Sequence, residues 1–196
     1  MDAKEIAPGL WRWTAPHPEW EAGAEPESPA EWPEEVGSVL FESRDGVVVL
    51  VDPQLPPDPA PFWRWADERV RDRRVFLATT IEWHDRSRDA FVARYDVAGR
   101  APGDVELLPF PALGETMVWL PEQRTLVPGD RIIGRPGGGL RMGPASWLRY
   151  LPGKPTVADL RKALEPLLAL PVERVLVTHG EPVLSRGGEA LAEALD

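Results

Sequence analysis

The sequence predicts an α/β domain in which strands and helices alternate along the chain and polar side chains gather where strands end. Three observations support this fold class. A β-hairpin is followed by a helical stretch, short apolar runs of strand length recur further on, and several of these runs end at an ionisable residue. The length of 196 residues suits one domain that spans residues 1–196.

The first part of the chain predicts one strand and one long loop. Residues 5–13, which end in Trp11-Arg12-Trp13, are predicted to form a single short strand. Residues 15–36 are rich in proline, glutamate and tryptophan and have no regular periodicity, which indicates a loop. Trp20 and Trp32 are costly to leave in water, so we expect this loop to pack on the body of the domain.

The hairpin is the clearest local signal. Two β-branched runs, 38–43 and 47–51, flank the turn Arg44-Asp45-Gly46, and an Asp-Gly turn between such runs is typical of a hairpin. The second run is apolar throughout, as expected of a strand buried on both faces. It ends at Asp52-Pro53, where a loop is predicted to begin.

The middle of the chain alternates between helical and extended patterns. Helices are predicted at residues 59–71 and 89–95, and strands at 75–80, 105–108, 116–120 and 125–127. The first of these strands runs directly into Ile81-Glu82-Trp83-His84-Asp85-Arg86-Ser87, and the last leads to Gly129-Asp130. Polar groups therefore follow two of these strands.

The last third has a glycine-rich segment followed by a helix, a strand and a helix. Residues 134–143 are predicted to form a flexible loop, with anion binding through its backbone amides as the alternative. Residues 156–168 have the clearest helical pattern in the chain, and Thr156 is the predicted N-cap. A strand at 174–177 ends at Thr178-His179-Gly180, and a final helix is predicted at 187–195.

Composition narrows the class of protein. The net charge of −10 argues against a general nucleic-acid binder and against docking on an anionic membrane. The absence of cysteine excludes disulfides and thiolate metal sites. A charged N-terminus without a following apolar run predicts no signal peptide, and no stretch reaches the ~20 apolar residues of a membrane span. We therefore expect a cytoplasmic protein, and no feature indicates an oligomeric state.

Four strand ends carry ionisable groups: Asp52, the stretch 82–86, Asp130 and His179. Groups at the strand ends of one sheet can converge on one cleft. Carboxylates and imidazoles together suit a zinc, manganese or iron ion. The alternative for each residue alone is a turn or capping role, because Asp-Pro and Gly-Asp are common in turns.

In order along the chain, five stretches carry a resemblance to a known family: Val51-Asp52-Pro53, Ala78-Thr79-Thr80, Gly114-Glu115-Thr116, Leu126-Val127-Pro128-Gly129-Asp130 and Val177-Thr178-His179-Gly180. With these, residues 5–195 resemble the metallo-β-lactamase superfamily. The resemblance implies a four-layer αβ/βα sandwich with a metal site at one edge.

The chain departs from that superfamily at its metal motif. Where the family has His-x-His-x-Asp-His, the resemblance places Ile81, Trp83, Asp85 and Arg86, and the family's next histidine falls near Pro111. The first metal position would thus use isoleucine, tryptophan and proline, none of which binds a cation. We expect that position to be lost.

The second metal position keeps Asp85, Asp130 and His179, with Arg86 in place of a fourth ligand. We favour an ion-pair cluster of Arg86 with Asp85 and Asp130, without a cofactor, because a guanidinium can bridge two carboxylates. The alternative is one zinc, manganese or iron ion held by Asp85, Asp130 and His179. His84 lies on a spacer position and is expected to point away, unless the loop is shifted by one residue.

The predicted cleft is lined by Asp52, Glu82, Trp83, His84 and Arg86, and no catalytic residue is assigned. The Trp83 ring would either plug the cleft or line a pocket for a flat apolar ligand. We favour a ligand-binding or interaction module, with a small-molecule ligand, over a binuclear metallohydrolase. The alternative is a mononuclear metal-dependent hydrolase acting on an ester or a thioester-like small molecule.

Overall fold

A computed structural model of the chain describes residues 3–23, 32–151 and 153–196. The strands are β1 Lys4–Ala7, β2 Leu10–Pro16, β3 Glu35–Glu42, β4 Val47–Val51, β5 Arg74–Ala78, β6 Glu106–Phe110, β7 Glu115–Leu120, β8 Thr125–Val127, β9 Ile132–Gly134, β10 Leu140–Met142 and β11 Arg174–Val175. The helices are α1 Pro59–Val70, α2 Arg88–Arg94, α3 Val157–Leu164 and α4 Gly187–Leu195. Short 3₁₀ segments lie at Glu82–Asp85, Pro111–Leu113, Ala145–Tyr150 and Glu165–Ala169.

These strands form two large sheets and one small hairpin. The first sheet has the order β1-β2-β3-β4-β5, and the second has the order β11-β8-β7-β6. Most neighbouring strands are antiparallel, but β4 pairs with β5 and β8 pairs with β11 in parallel. The ends of β4 and β5 therefore lie at the same edge of their sheet.

The two large sheets pack face to face. Val49 and Val51 of β4 point into a core that also contains Val118 of the second sheet, whereas Val48 and Leu50 point to the opposite face. This alternation follows from the two-residue period of a strand. Both faces of β4 are covered, one by the second sheet and one by helices. This explains why the strand is apolar throughout, as its sequence predicts.

Helices cover the two outer faces. Phe62 of α1 and Phe91 of α2 pack on the outer face of the first sheet, and Leu160 of α3 and Leu191 of α4 pack on the second. The order of layers is helix, sheet, sheet, helix. The predicted αβ/βα sandwich is confirmed.

The starts of α1 and α3 follow their capping signals. Asp58 accepts a hydrogen bond from the Ala60 N–H ahead of the proline that begins α1, and Thr156 forms a capping box with Asp159 at the start of α3. The predicted helix 156–168 changes to a 3₁₀ segment after Leu164, because Pro166 lacks the N–H that an α-helix needs. Within the described ranges, no helix is both long enough and apolar enough to cross a membrane.

Two predictions about local structure are wrong. Residues 5–13 form parts of two antiparallel strands, β1 and β2, because Gly9 adopts a φ of +72° and reverses the chain. The glycine-rich stretch 134–143 is part of the β9–β10 hairpin, and its glycines lie mainly in the turn. Ile132 and Leu140 of this hairpin lie in the core, which the glycine content alone does not indicate.

The predicted loop 15–36 is shorter than expected. Pro16 still belongs to β2 and β3 already begins at Glu35, while residues 24–31 of the predicted loop lie outside the described residues. The ring of Trp32 lies 5.1 Å from the ring of His17. This contact lies within the predicted loop, but the side chains of Trp20 and Trp32 are both half-buried, as expected of a loop that packs on the domain.

Candidate functional site

Strands from both large sheets end at one edge of the sandwich and deliver four buried ionisable side chains there. Asp52 follows β4, His84 lies in the 3₁₀ turn after β5, Asp130 follows β8, and His179 follows β11. The structure thus brings together Asp52, Asp130 and His179, and from the stretch 82–86 expected at the fourth strand end it contributes His84.

Asp52 holds the imidazole of His84 in a fixed orientation. One oxygen of Asp52 accepts the Thr80 N–H at 2.8 Å, and the other accepts the Thr80 hydroxyl and Nδ1 of His84, the latter at 2.9 Å. Because a carboxylate only accepts, the proton of this bond is assigned to Nδ1. Nε2 of His84 then faces the opposite way, towards Asp130.

Asp130 is the point on which the other side chains converge. Its Oδ2 accepts a hydrogen bond of 3.0 Å from Nε1 of Trp83. Its Oδ1 lies 3.1 Å from Nε2 of His84 and 3.4 Å from Nε2 of His179. Although both imidazoles are close, Oδ1 makes no well-aligned hydrogen bond with any residue of the described part of the chain.

Backbone contacts hold His179 in place. Its carbonyl accepts the Gly134 N–H at 2.8 Å, and the carbonyl of the preceding residue accepts the Gly37 N–H at 2.7 Å. A Cβ at Gly134 would lie 2.4 Å from the Glu181 carbonyl oxygen, so only glycine permits this close approach. The glycine of β9 therefore has a role in positioning the site.

Charge in the buried cluster is distributed unevenly. Burial alone would lower the pKa of His84, but the carboxylates of Asp130 and Asp52 offset this and raise it to about 9. Burial would raise the pKa of Asp130, but the charge of His84 and the contact with His179 hold it well below its usual range. Burial lowers the pKa of His179. At neutral pH and without a metal, His84 is thus a cation between two carboxylates.

Arg86 does not form the predicted ion pair with Asp130. Its Nη1 donates to the carbonyl oxygens of Gly37 and Asp52, each at 3.2 Å. Both Arg86 and Asp52 have a positive φ, 42° and 45°, which is a strained conformation for residues other than glycine. The expected cluster of Arg86 with Asp85 and Asp130 is therefore wrong, and the side chain that lies between two carboxylates is His84, between Asp52 and Asp130.

Asp85 and Glu82 lie outside the cluster. The Asp85 side chain is 69% exposed and approaches Arg88 at 3.9 Å, and Glu82 is also exposed. The expectation that His84 points away while Asp85 points in is therefore reversed. The reason is the tight turn at Glu82–Asp85, in which neighbouring side chains point in very different directions.

The expected first metal position holds other side chains. Ile81 pairs with Glu115 through an isolated bridge, whereas Pro111 is exposed beside an apolar groove. Glu115 is buried, accepts the N–H groups of Gly129 and Arg131, and lies 3.8 Å from the Arg131 guanidinium. Burial raises the pKa of Glu115 to about 7. This neighbourhood contains a buried arginine and a buried glutamate that sequence analysis did not find.

A cavity of about 720 Å³ opens above the cluster. Its walls are His17, Pro18, Glu19, Trp32, Trp83, His84, Arg86, Asp130, Trp147, Tyr150 and His179. Of the five predicted cleft residues, Trp83, His84 and Arg86 line it, while Asp52 lies behind His84 and Glu82 does not contribute. The His17 ring lies 6.5 Å from the His179 ring, so all three histidines of the chain meet here. The only indication in the sequence that His17 belongs to the site is that the chain has no more than three histidines.

His84, Asp130 and His179 fit one metal ion. One ligand atom from each lies within 4.8 Å of the others. Ligands placed about 2.0–2.1 Å from a tetrahedral ion are roughly 3.3 Å apart, and the two distances to Asp130 Oδ1 are 3.1 and 3.4 Å. The hydrogen bond from Nδ1 of His84 to Asp52 is the support that metal-ligating histidines usually have.

No protein-family model matches the chain, and no curated protein is detectably similar to it. Solved structures do match. A structure of the DIM-1 metallo-β-lactamase aligns with a TM-score of 0.55 and 12% identity, covering 100% of this chain and 97% of that chain. A metallo-β-lactamase from Erythrobacter litoralis aligns at 0.55 and 14%, covering 98% and 95%. A metallo-β-lactamase family protein from Thermus thermophilus aligns at 0.51 and 16%, covering 96% and 80%. At such identities the likeness shows the fold, and the chain has the metallo-β-lactamase fold.

Proposed function

We propose that this chain is a one-metal hydrolase in which His84, Asp130 and His179 hold a single divalent transition metal. The observation that carries the proposal is the convergence of two imidazole Nε2 atoms on Oδ1 of Asp130, at 3.1 and 3.4 Å. That oxygen is buried and lacks a well-aligned donor among the described residues. Two imidazoles and one carboxylate form a ligand set that catalytic zinc sites use.

A bound ion would supply Lewis acidity that polarises a carbonyl group and activates water. The chain's own residues provide the rest. Asp52 keeps the proton of His84 on Nδ1, so that Nε2 is available as a ligand. Trp83 holds the second oxygen of Asp130 and so orients the first. The cavity wall includes Trp32, Trp83, Trp147 and Tyr150.

Esters and thioesters are the substrates that fit this chemistry. In such a hydrolysis the bond between the acyl carbon and the oxygen or sulfur breaks. The hydroxyl of water is added to the acyl carbon, and its proton goes to the leaving alcohol or thiol. A cavity of about 720 Å³ is large enough for a small-molecule substrate.

The second candidate is a metal-free ligand-binding module, and one observation favours it. With a pKa of about 9, His84 is a cation between Asp52 and Asp130. Arg86 adds a second positive charge next to Asp52. Two carboxylates and two cations balance one another, so the site needs no metal for neutrality.

Elemental analysis separates the two candidates. Tag-free protein is purified without chelator, exchanged into metal-free buffer and measured by mass spectrometry, before and after incubation with zinc, manganese or iron. We expect about one ion per chain, lost in His84→Ala and in His179→Ala and kept in Asp85→Ala. A chain that stays empty after metal addition would instead support the binding module.

Hydrolysis is tested with p-nitrophenyl esters and aryl thioesters. Activity should disappear on chelation, return with the metal that the protein retains, and be absent from His179→Ala. A protein that binds one ion and hydrolyses neither class would contradict the hydrolase assignment but not the metal site.

A further inference from the structure

His17 is the histidine of the cavity that the candidate metal site does not use. It follows Pro16, the last residue of β2, and its half-buried ring forms part of the cavity wall. The side chains whose ligand atoms converge are His84, Asp130 and His179, and His17 is not among them. A side chain beside a metal site that is not a ligand can still contact the substrate.

Hydrogen bonds hold His17 in one orientation. Its backbone N–H donates to the Glu34 carbonyl at 2.6 Å, and its own carbonyl accepts the Trp20 N–H at 3.2 Å. In the ring, Nδ1 accepts the Glu19 N–H at 3.0 Å. Both the backbone and the ring of His17 are thus fixed before any ligand binds. Such preorganisation is what a hydrogen-bond donor in an active site needs.

The bond to Glu19 also assigns the proton of the ring. A backbone N–H can only donate, so Nδ1 has to accept and carries no proton. The ring is then neutral, with its single proton on Nε2. Burial, followed by the positive charge of Arg86, lowers the pKa of His17 to about 4, which agrees with a neutral ring at pH 7. Nε2 is therefore a donor.

This donor is available to a ligand. Nε2 of His17 makes no hydrogen bond with residues 3–23, 32–151 or 153–196, and it is not one of the enclosed nitrogens without a partner, such as Nε1 of Trp147. The Tyr150 hydroxyl also lies on the cavity wall, but Tyr150 is 58% exposed and no hydrogen bond within the described ranges fixes its side chain. His17 is thus the better positioned donor.

The donor lies next to the place where an ester would react. The ring centroids of His17 and His179 are 6.5 Å apart, and the ring planes are inclined by 27°. A ligand atom in van der Waals contact with one ring and hydrogen-bonded to the other would span about this separation, because each of these distances is about 3–4 Å. An acyl group bound against His179 is therefore within reach of His17.

We propose that His17 is a catalytic residue whose Nε2–H donates a hydrogen bond to the acyl oxygen of the substrate. This inference rests on the proposed hydrolase function and adds a residue to it. When the hydroxyl of water bonds to the acyl carbon, the π electrons of the carbonyl group move to its oxygen, which becomes an oxyanion. They return when the bond to the leaving oxygen or sulfur breaks, and the proton of water goes to the leaving group. The oxyanion accepts a stronger hydrogen bond than the carbonyl does, so the donor lowers the barrier while its own proton stays on Nε2.

The kinetics of zinc-loaded protein with p-nitrophenyl esters provide the first test. His17→Phe keeps an aromatic ring and removes the donor. It should lower kcat roughly 100- to 1000-fold and leave KM unchanged, because the bond reaches its full strength only in the transition state. His17→Gln offers a side-chain N–H and should recover part of this loss. Both variants should keep their zinc, and Thr14→Ala, at an exposed position of β2, is the control that should match the wild type.

A second measurement does not depend on activity. The chain has three histidines, so long-range ¹H–¹⁵N correlation spectra of metal-free, ¹⁵N-histidine-labelled protein resolve every ring. His17→Phe identifies the signals of His17, whose proton should be on Nε2 at pH 7. N,N-dimethylbenzamide is a carbonyl compound that has no N–H of its own and is not cleaved. At millimolar concentration it should shift the Nε2 signal of His17, whereas toluene should not.

Four results would overturn the proposal. They are a proton on Nδ1 of His17, an Nε2 signal that dimethylbenzamide leaves unchanged, wild-type kcat in His17→Phe, or loss of zinc from that variant. The last result would make His17 a metal ligand rather than a donor. Wild-type protein that hydrolyses no ester would contradict the proposed function instead, and the shift with dimethylbenzamide would then decide whether His17 binds a carbonyl group.

Discussion

Nδ1 of His84 and Oδ2 of Asp52 lie 2.9 Å apart, and both side chains are almost fully buried. This pair determines which way the His84 ring faces. With Nδ1 held by Asp52, Nε2 can only face Asp130, 3.1 Å from Oδ1. The His84 ring therefore links Asp52, at the edge of the first sheet, to Asp130, at the edge of the second.

We predict that Asp52→Asn weakens metal binding about 10- to 100-fold. The side chain keeps its shape but loses the charge that orients and polarises the imidazole, and supporting groups of this kind have effects of that size. The measurement is a zinc competition titration against a chromogenic chelator.

Asp85→Asn is the matched control for this experiment. Asp85 is 69% exposed and lies outside the cluster, so its amide should leave zinc affinity unchanged. A large loss in Asp85→Asn with none in Asp52→Asn would contradict the proposed ligand set.

We predict that the metal-free protein becomes less stable as the pH rises from about 6.5 to about 9. The pKa of His84 is about 9 in the folded chain and about 6.5 in an unfolded chain, so the folded state binds the proton more tightly. This stabilisation is complete below pH 6.5 and is lost as the pH rises through 9. Its size is about 1.4 kcal/mol for each pKa unit.

Urea denaturation in the presence of chelator, repeated across this pH range, measures the effect. His84→Gln should remove the dependence on pH between about 8 and 9, above the range in which Glu115, with a pKa of about 7, loses its proton, whatever the effect of the substitution on overall stability. If the variant keeps the same slope, another group titrates in that interval and His84 is not the bridging cation.

We predict that Gly129→Ala destabilises the fold by roughly 1–3 kcal/mol, a usual range for an overpacked site. A Cβ at this position would lie 2.7 Å from the Thr80 hydroxyl oxygen and 2.9 Å from Ile81. Displacing Thr80 disturbs its hydrogen bond to Asp52, so zinc affinity should fall as well.

Gly99→Ala serves as the comparison, because a Cβ there meets nothing within 4 Å. Thermal unfolding and zinc titration of both variants give the two readouts. Equal stability of the two variants would show that the backbone of residues 128–130 can move away from β5 at no cost.

Much of the fold follows from local sequence patterns. The Asp-Gly turn and the run Val47–Val51 define the first hairpin, and Thr156 defines the start of α3. These signals are local, because turn geometry, capping and two-residue alternation depend on near neighbours. The prediction of a single strand over residues 5–13 is wrong because a glycine turn between two short strands leaves few residues from which to detect a period.

Part of the candidate site also follows from the sequence. Asp130 and His179 come directly after strand ends, and strand ends at one edge of a sandwich place their side chains together. Glu115 lies in one of the stretches that carry the family resemblance, but nothing in the sequence indicates that Glu115 and Arg131 are buried beside each other. Their burial depends on the packing of one sheet edge against the other.

By itself the sequence determined the layered α/β architecture and the edge at which the ionisable groups gather, because strand runs and their polar ends are visible without tertiary contacts. Only the tertiary structure decided which of Trp83, His84 and Asp85 faces Asp130. In a tight turn with about three residues per turn, adjacent side chains point roughly 120° apart, so a shift of one residue exchanges a ligand for an exposed group. The buried carboxylate of Asp52, which comes from another strand, selects His84 by its hydrogen bond.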